Sequence, residues 1–97
     1  MKKVAVIGAG GLGTAMAQLI SNNADIVYLY ARRKEVAEQI SKTGYNIEYY
    51  PNLKLAQNIC PINSFIFLRE CEIIFICVPS SVRRKALDDI GPYLSND

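Results

Sequence analysis

The sequence predicts an α/β protein, a Rossmann-like doubly wound parallel sheet built as a single domain. Three observations predict it. Short β-branched runs alternate with stretches of helical period along the whole chain. The first run leads directly into VIGAGGLG, Val6 to Gly13, with glycines at 8, 10 and 13. The chain has 97 residues, half of them apolar, which suits one small core and excludes disorder.

Each element follows from its local pattern. Lys3 to Ile7 is apolar and β-branched and ends at glycine, so it reads as a buried strand. From Gly11 to Asn22 the period changes to that of a helix. Leu12, Ala15, Met16, Leu19 and Ile20 form its inner stripe, with Thr14, Gln18 and Ser21 opposite. Ile26 to Tyr30 reads as a second strand. Lys34 to Lys42 reads as a second helix, with Val36, Ala37 and Ile40 inward and Gly44 as its stop. Pro51 and Pro61 exclude long helices from the irregular stretch that follows, in which a short strand is expected near Ile59 and a short apolar helix over Ser64 to Cys71. Ile73 to Val78 is apolar at successive positions, so both faces of that strand are expected to be covered. Pro79 ends it. Ser80 or Ser81 can cap a last helix whose inner stripe is Val82, Ala86, Leu87 and Ile90, closed by Gly91 and Pro92. Strands that alternate with helices need crossover connections, hence a parallel sheet.

Composition excludes several classes of function. A net charge of +2 makes no case for nucleic acid or a membrane surface. No apolar run approaches a membrane span, glycines interrupt any signal-peptide core, and the expected location is the cytoplasm. Cys60, Cys71 and Cys77 form no CxxC pair and there is no histidine, so no zinc site is expected and the thiols read as buried and reduced. The absence of histidine also excludes imidazole acid–base chemistry from these residues.

The glycine motif gains weight from its setting between a strand and an amphipathic helix. Gly8 would allow the tight turn, Gly10 would let the backbone approach a pyrophosphate, and Gly13 would let the helix pack close to the strand. The amides at the helix start would then face the phosphates. The alternative is a glycine-rich bend that binds nothing. At the end of the second strand, where an NAD site usually carries a carboxylate for the ribose 2′-hydroxyl, the sequence reads Tyr30-Ala31-Arg32-Arg33. Two guanidinium groups offer donors to a 2′-phosphate, which points to NADP(H) in preference to NAD(H). The alternative there is two solvated charges at a helix start.

Several segments jointly resemble the N-terminal, cofactor-binding part of the NAD(P)-dependent glycerol-3-phosphate dehydrogenase family. GAGGLGTAMA at Gly8 to Ala17 is similar to that family's GxGxWGTALA, with Leu12 in place of a large aromatic. YARR at Tyr30 to Arg33 resembles its W-x-R, and NIEYYPNLKL at Asn46 to Leu55 resembles its N-x-x-Y-L-P…L, with Tyr50 in place of leucine. IIFICVPSSVRRKAL at Ile73 to Leu87 is similar to its apolar strand, VPS turn and following helix. The resemblance implies that Gly11 and Leu12 contact the dinucleotide, that Arg32 and Arg33 serve its adenosine end, that Tyr49 lies near it and that Pro79 and Ser80 run along it. Tyr49 also reads as a core or lid aromatic, Ser80 as a plain helix cap, and Arg83 and Arg84 as a solvated helix face. The family's substrate lysines lie on the next strand and in a helical C-terminal domain, beyond Leu94-Ser95-Asn96-Asp97, so no catalytic residue is expected here. The chain thus reads as a truncated fragment, residues 1–97 of a longer oxidoreductase whose substrate domain is absent. It is expected to bind NADP(H) but not to reduce dihydroxyacetone phosphate alone. Other readings are a stand-alone nucleotide-sensing module, or the cofactor domain of a related hydroxyacid or ketopantoate reductase. Apolar surface that would meet the missing domain leaves self-association, including a homodimer, open.

Overall fold

The computed structural model describes residues 2–94. The end of the chain, where a further strand is expected to begin, lies outside the described residues from 95 onward. Four strands form one sheet: β1 (Lys3–Ile7), β2 (Ile26–Tyr30), β3 (Ile59–Ile62) and β4 (Ile73–Ile76). Their spatial order is β3-β2-β1-β4 and every pairing is parallel, with Val4 beside Val27 on one side and Ile73 on the other. The helices are α1 (Gly11–Ile20), α2 (Lys34–Thr43) and α3 (Ser80–Ile90). Short 3-10 turns follow α1 and α3, and a third covers Ile66–Glu70, where the short apolar helix is expected.

The period of two along each strand sorts the core onto two faces. Val4, Val6, Val27 and Leu29 meet Ala17, Ile20 and Ile40 of α1 and α2. Ala5, Ile7 and Tyr28 point the other way, to Leu68 of the 3-10 turn and Ile90 of α3. Covered on both faces and joined by crossovers, the sheet is doubly wound. Gly44 ends α2 in the left-handed region, with φ 80° and its amide bonded to the Ile40 carbonyl.

Several expectations need correction. The buried face of α1 is Gly13, Thr14, Ala17 and Ile20, followed by Ser21, whereas Leu12 and Leu19 are exposed at 69% and 73%. The helix is turned so that its small residues meet the strand ends, and Thr14 and Ser21 find side-chain or backbone partners there. On α3, Ile90 is buried but Val82 and Leu87 are exposed. β4 packs on both faces, Phe75 against one core cluster and Ile74 and Ile76 against the other, but incompletely: it is an outer strand, Ile73 is 38% exposed and the rest of the strand is half-buried. No described element covers its far edge. All three thiols are free, but Cys60, on the opposite outer strand, is exposed, and Cys71 and Cys77 are half-buried. Burial pushes the Cys71 thiol up to about 11, with Glu70 adding to the rise and Lys3 opposing it. Neither serine caps α3 with its side chain; Pro79 occupies the N-cap position, which places Ser80 inside the first turn.

A polar cluster pins the 66–70 turn to the sheet. Lys3 Nζ donates to Glu70 Oε1 at 2.6 Å, Tyr28 Oη donates to the same oxygen at 3.2 Å, and Phe67 stacks on the Tyr28 ring. The hydrogen bond from Lys3 holds the Glu70 carboxyl below its ordinary value, and the same bond holds Lys3 above its own. The Glu70 contribution to stability is therefore complete above the ordinary carboxylate range and is lost as pH falls through the lowered native value. That of Lys3 is complete below the ordinary lysine value and is lost as pH rises through the raised one. Glu70→Gln is expected to lower stability at neutral pH and to flatten its loss toward acid, read by urea melts between about pH 7 and about pH 3. An unchanged acid slope would contradict this.

Candidate functional site

The C-terminal ends of β1, β2 and β4 open into one crevice, and the glycine turn forms its floor. Gly8 has φ 120°, in the region that favours glycine, and a Cβ there would run into the Cys77 carbonyl that follows β4. A Cβ on Gly13 would run into the carbonyl of Gly8 itself. These two glycines let α1 lie directly on the end of β1. Gly10 and Gly11 differ: a Cβ on either would meet only the Tyr49 and Tyr50 side chains, at 3.5 Å or more. Packing within the protein does not demand glycine at those two positions.

The first bond of α1 runs from the Thr14 amide to the Gly10 carbonyl, so the amides of Gly11, Leu12 and Gly13 precede the intrahelical ladder. Gly10, the N-cap, has no side chain to satisfy them, and the first turn carries no acidic residue. An anion meets bare donors and the positive end of the helix dipole there.

The segment after α2 holds this turn in place. Asn46 is 1% exposed, and its Nδ2 donates both to the Ala9 carbonyl at 2.9 Å and to Thr14 Oγ1 at 2.8 Å. Its Oδ1 is the one buried side-chain oxygen without a protein partner among the described residues. Tyr50 Oη donates to the Gly11 carbonyl at 2.9 Å, which ties the segment to the first residue of α1. Between them Tyr49 stands half-exposed over Gly10 and Gly11.

Two clefts flank the turn. A polar one of about 200 Å³ runs between Ala9, Gly10 and Tyr49 on one wall and Arg32, Arg33 and Val36 on the other. Glu48 also lines it, and Arg33 reaches Glu48 at 3.5 Å; both side chains are mostly solvated. Arg32 makes no ion pair among the described residues. The second cleft, of about 380 Å³ and mainly apolar, lies between Ile7, Gly8, Tyr30 and Phe65 and, across from them, Val78, Pro79, Val82 and Ala86, with Lys85 and Asp89 at its rim. Tyr30 and Phe65 stack with ring centroids 4.3 Å apart. Burial raises the Tyr30 hydroxyl above its ordinary value, Asp89 adds to that and Arg32 opposes it, so the phenol is neutral at physiological pH. Ala9 and Arg32 line both clefts and join them.

The fold thus brings Gly8, Gly10, Arg32, Arg33, Tyr49 and Pro79 to one crevice. Gly11 opens α1 beneath Tyr49, Gly13 is buried under the turn, Leu12 points to solvent, and Ser80 lines neither cleft. Sequence reading missed Glu48, Tyr30, Phe65 and Val82. Tyr30 was findable as the last residue of a strand aimed at the crevice; Glu48 and Phe65 sit in irregular segments that carry no periodic signal. No group of three or more cysteine, aspartate or glutamate side chains placed to hold a metal occurs among the described residues. No helix among them is long and apolar enough to cross a membrane.

A crevice with a bare helix N-terminus, a polar cationic cleft and an apolar one fits a dinucleotide. Comparison with known proteins agrees. The family model described as NAD-dependent glycerol-3-phosphate dehydrogenase N-terminus matches residues 3–97. Relatives include glycerol-3-phosphate dehydrogenase [NAD(P)+] of Methanothermobacter thermautotrophicus, 43% identical over 94 residues, and that of Halalkalibacterium halodurans, 36% identical over 94. The alignments cover 96% and 97% of this chain but 29% and 27% of those proteins. The chain therefore spans less than a third of the length of the curated relatives it matches. A solved glycerol-3-phosphate dehydrogenase from Coxiella burnetii superposes with a TM-score of 0.87 at 23% identity, covering 96% of this chain and 29% of that one, which shows a shared fold.

The glycines separate packing from binding, and this can be measured. Gly13→Ala is expected to destabilise the protein by about 3 kcal/mol, the upper end for overpacking, because backbone atoms must move. Gly10→Ala is expected to fold with near wild-type stability and to lose dinucleotide affinity. Thermal melts and dinucleotide titration of both variants check this; a Gly10→Ala protein that binds like wild type would break the distinction.

Proposed function

Because the chain belongs to the NAD-dependent glycerol-3-phosphate dehydrogenase family, as its N-terminal NAD-binding part, we propose that the crevice holds NADP(H) in preference to NAD(H) for such an enzyme. The observation that carries the reading is the junction at Arg32, where a polar cationic cleft and an apolar cleft meet beside the glycine turn. The amides of Gly11, Leu12 and Gly13 hold the pyrophosphate. The apolar cleft, walled by Pro79, Val82 and the Tyr30–Phe65 stack, takes the adenine. Arg32 and Arg33 take the 2′-phosphate in the polar cleft, and Tyr49 shields the turn from water.

When bound, the dinucleotide supplies the nicotinamide ring that gives or accepts hydride. The described residues bind and orient it. The substrate we propose is the pair dihydroxyacetone phosphate and glycerol 3-phosphate, held by a C-terminal domain outside residues 1–97. Hydride transfer needs that second reactant fixed against the ring, so these residues alone bind without turnover. Three free thiols fit a reducing cytoplasm.

Titration calorimetry with NADPH and NADH tests the proposal. Binding of NADPH with a rise in melting temperature is expected, and neither heat nor protection would overturn it. Arg32→Ala is expected to weaken NADPH by about 10- to 150-fold, the loss of one charged hydrogen bond, and NADH by much less. Glu48→Gln releases Arg33 from its ion pair and is expected to strengthen NADPH by about two- to fivefold. Weaker NADPH binding in that variant would instead make Glu48 a ribose ligand.

A further inference from the structure

The arginines of the polar cleft sit on a three-residue link between β2 and α2, and something must fix its direction. The sheet ladder runs one residue past β2: the Ala31 amide donates to the Ile62 carbonyl at 2.9 Å. At the far end, the Val36 and Ala37 amides bond the Arg33 carbonyl. The Ala31 and Arg32 carbonyls between them have no place in sheet or helix. Both accept from a single group, the Nδ2 of Asn63, at 2.8 and 2.9 Å. Asn63 directly follows β3, so its side chain continues the sheet by one rung where the backbone has turned away.

We infer that Asn63 is a positioning residue for cofactor selectivity: its forked amide sets the two peptide planes that aim the Arg32 guanidinium at the junction of the clefts. This rests on the NADP(H) reading of that junction. Asn63 lines neither cleft, so it acts through the link and not by contact with a ligand. One NH₂ supplies two donors, and only an amide side chain does so without adding charge beside the arginines. Without the fork, two carbonyls turn to water and rotation about Ala31 and Arg32 is freed. The 2′-phosphate contact depends on guanidinium direction. The pyrophosphate contact is anchored on α1, and Pro79, Val82 and Ala86 wall the base cleft from the α3 side.

The chain carries its own control. Asn58 makes the same fork, its Nδ2 donating to the Ser21 and Ala24 carbonyls at 2.8 and 2.9 Å, before β2 and away from the clefts. The test compares the Kd ratio for NADPH and NADH, with melting temperatures, in wild type, Asn63→Leu, Asn63→Ser and Asn58→Ala. Asn63→Leu keeps the volume without the donors. Its expected result is a selectivity ratio about tenfold closer to parity, the size of one misdirected charged hydrogen bond, with NADH affinity held. Asn63→Ser, the milder variant, keeps one hydroxyl donor and is expected to fall between. Asn58→Ala is expected to melt earlier with the ratio unchanged. Any folded Asn63 variant with the wild-type ratio overturns the inference while leaving the binding site standing. A wild-type protein that binds both dinucleotides equally overturns the arginine reading and this inference together, and one that binds neither overturns the proposed function itself.

Discussion

The structure depends on one close contact: the Cα of Gly13 lies against the carbonyl of Gly8, with no room for a side chain at either position. That contact sets how near α1 comes to β1. It aims the first turn of the helix across the strand ends instead of past them. A helix displaced outward by the thickness of a methyl group would carry its free amides away from the crevice. The other contacts around the turn follow from this placement. Asn46 can reach both the Ala9 carbonyl and Thr14 Oγ1 only because the turn and the helix lie that close, and Tyr50 reaches Gly11 from the same segment. A buried amide spent on two acceptors is a strong constraint, since leaving those acceptors bare in the interior costs about 1–3 kcal/mol each.

The sheet order turns this local geometry into a site. With β1 between β2 and β4, the chain leaves β1 toward one face and later returns through the 66–70 turn and α3 on the other. The strand ends on either side of β1 therefore part, which is where ligands enter open α/β sheets. The two clefts are the two sides of that parting. Their chemistry differs because different elements wall them. The side toward α2 inherits the arginines and Glu48. The side toward α3 inherits the aromatic stack and the residues after β4. Arg32 belongs to both since it leaves β2 at the dividing line.

Much of this was legible in the sequence, and the reasons are specific. Three of the four strands lie within a residue or two of their β-branched runs, because parallel strands packed on both faces have few other compositions. Gly44 marked the end of α2, and the glycine turn marked the start of α1. The face of α1 misled. Leu12 and Leu19 carry more apolar surface than Thr14, but close approach to the strand rewards small side chains, and Asn46 satisfies the threonine hydroxyl from far along the chain. The stretch from 45 to 64 was the least legible. Its fold is written in three forked amides, those of Asn46, Asn58 and Asn63, each clamping acceptors 31 to 37 residues away. No period or turn signal reports a side chain that substitutes for a backbone rung. Glu48 enters the polar cleft by the same irregular route, from a stretch with no periodic signal.

The uncovered stripe of α3 belongs to the same logic. A hydrophobic period reports which face of a helix avoids water, not what removes the water. On α3 the stripe is divided along its length. Ile90 at its end packs into the core below β1 and β2. Val82 and Ala86, nearer its start, wall the apolar cleft. A helix that was only a structural cover would bury its first turns as it buries its last. Here the exposed Val82 stands next to the strand ends, opposite the Tyr30–Phe65 stack. Such placement would give an aromatic base two apolar walls, and on the proposed reading the exposure of Val82 marks that surface.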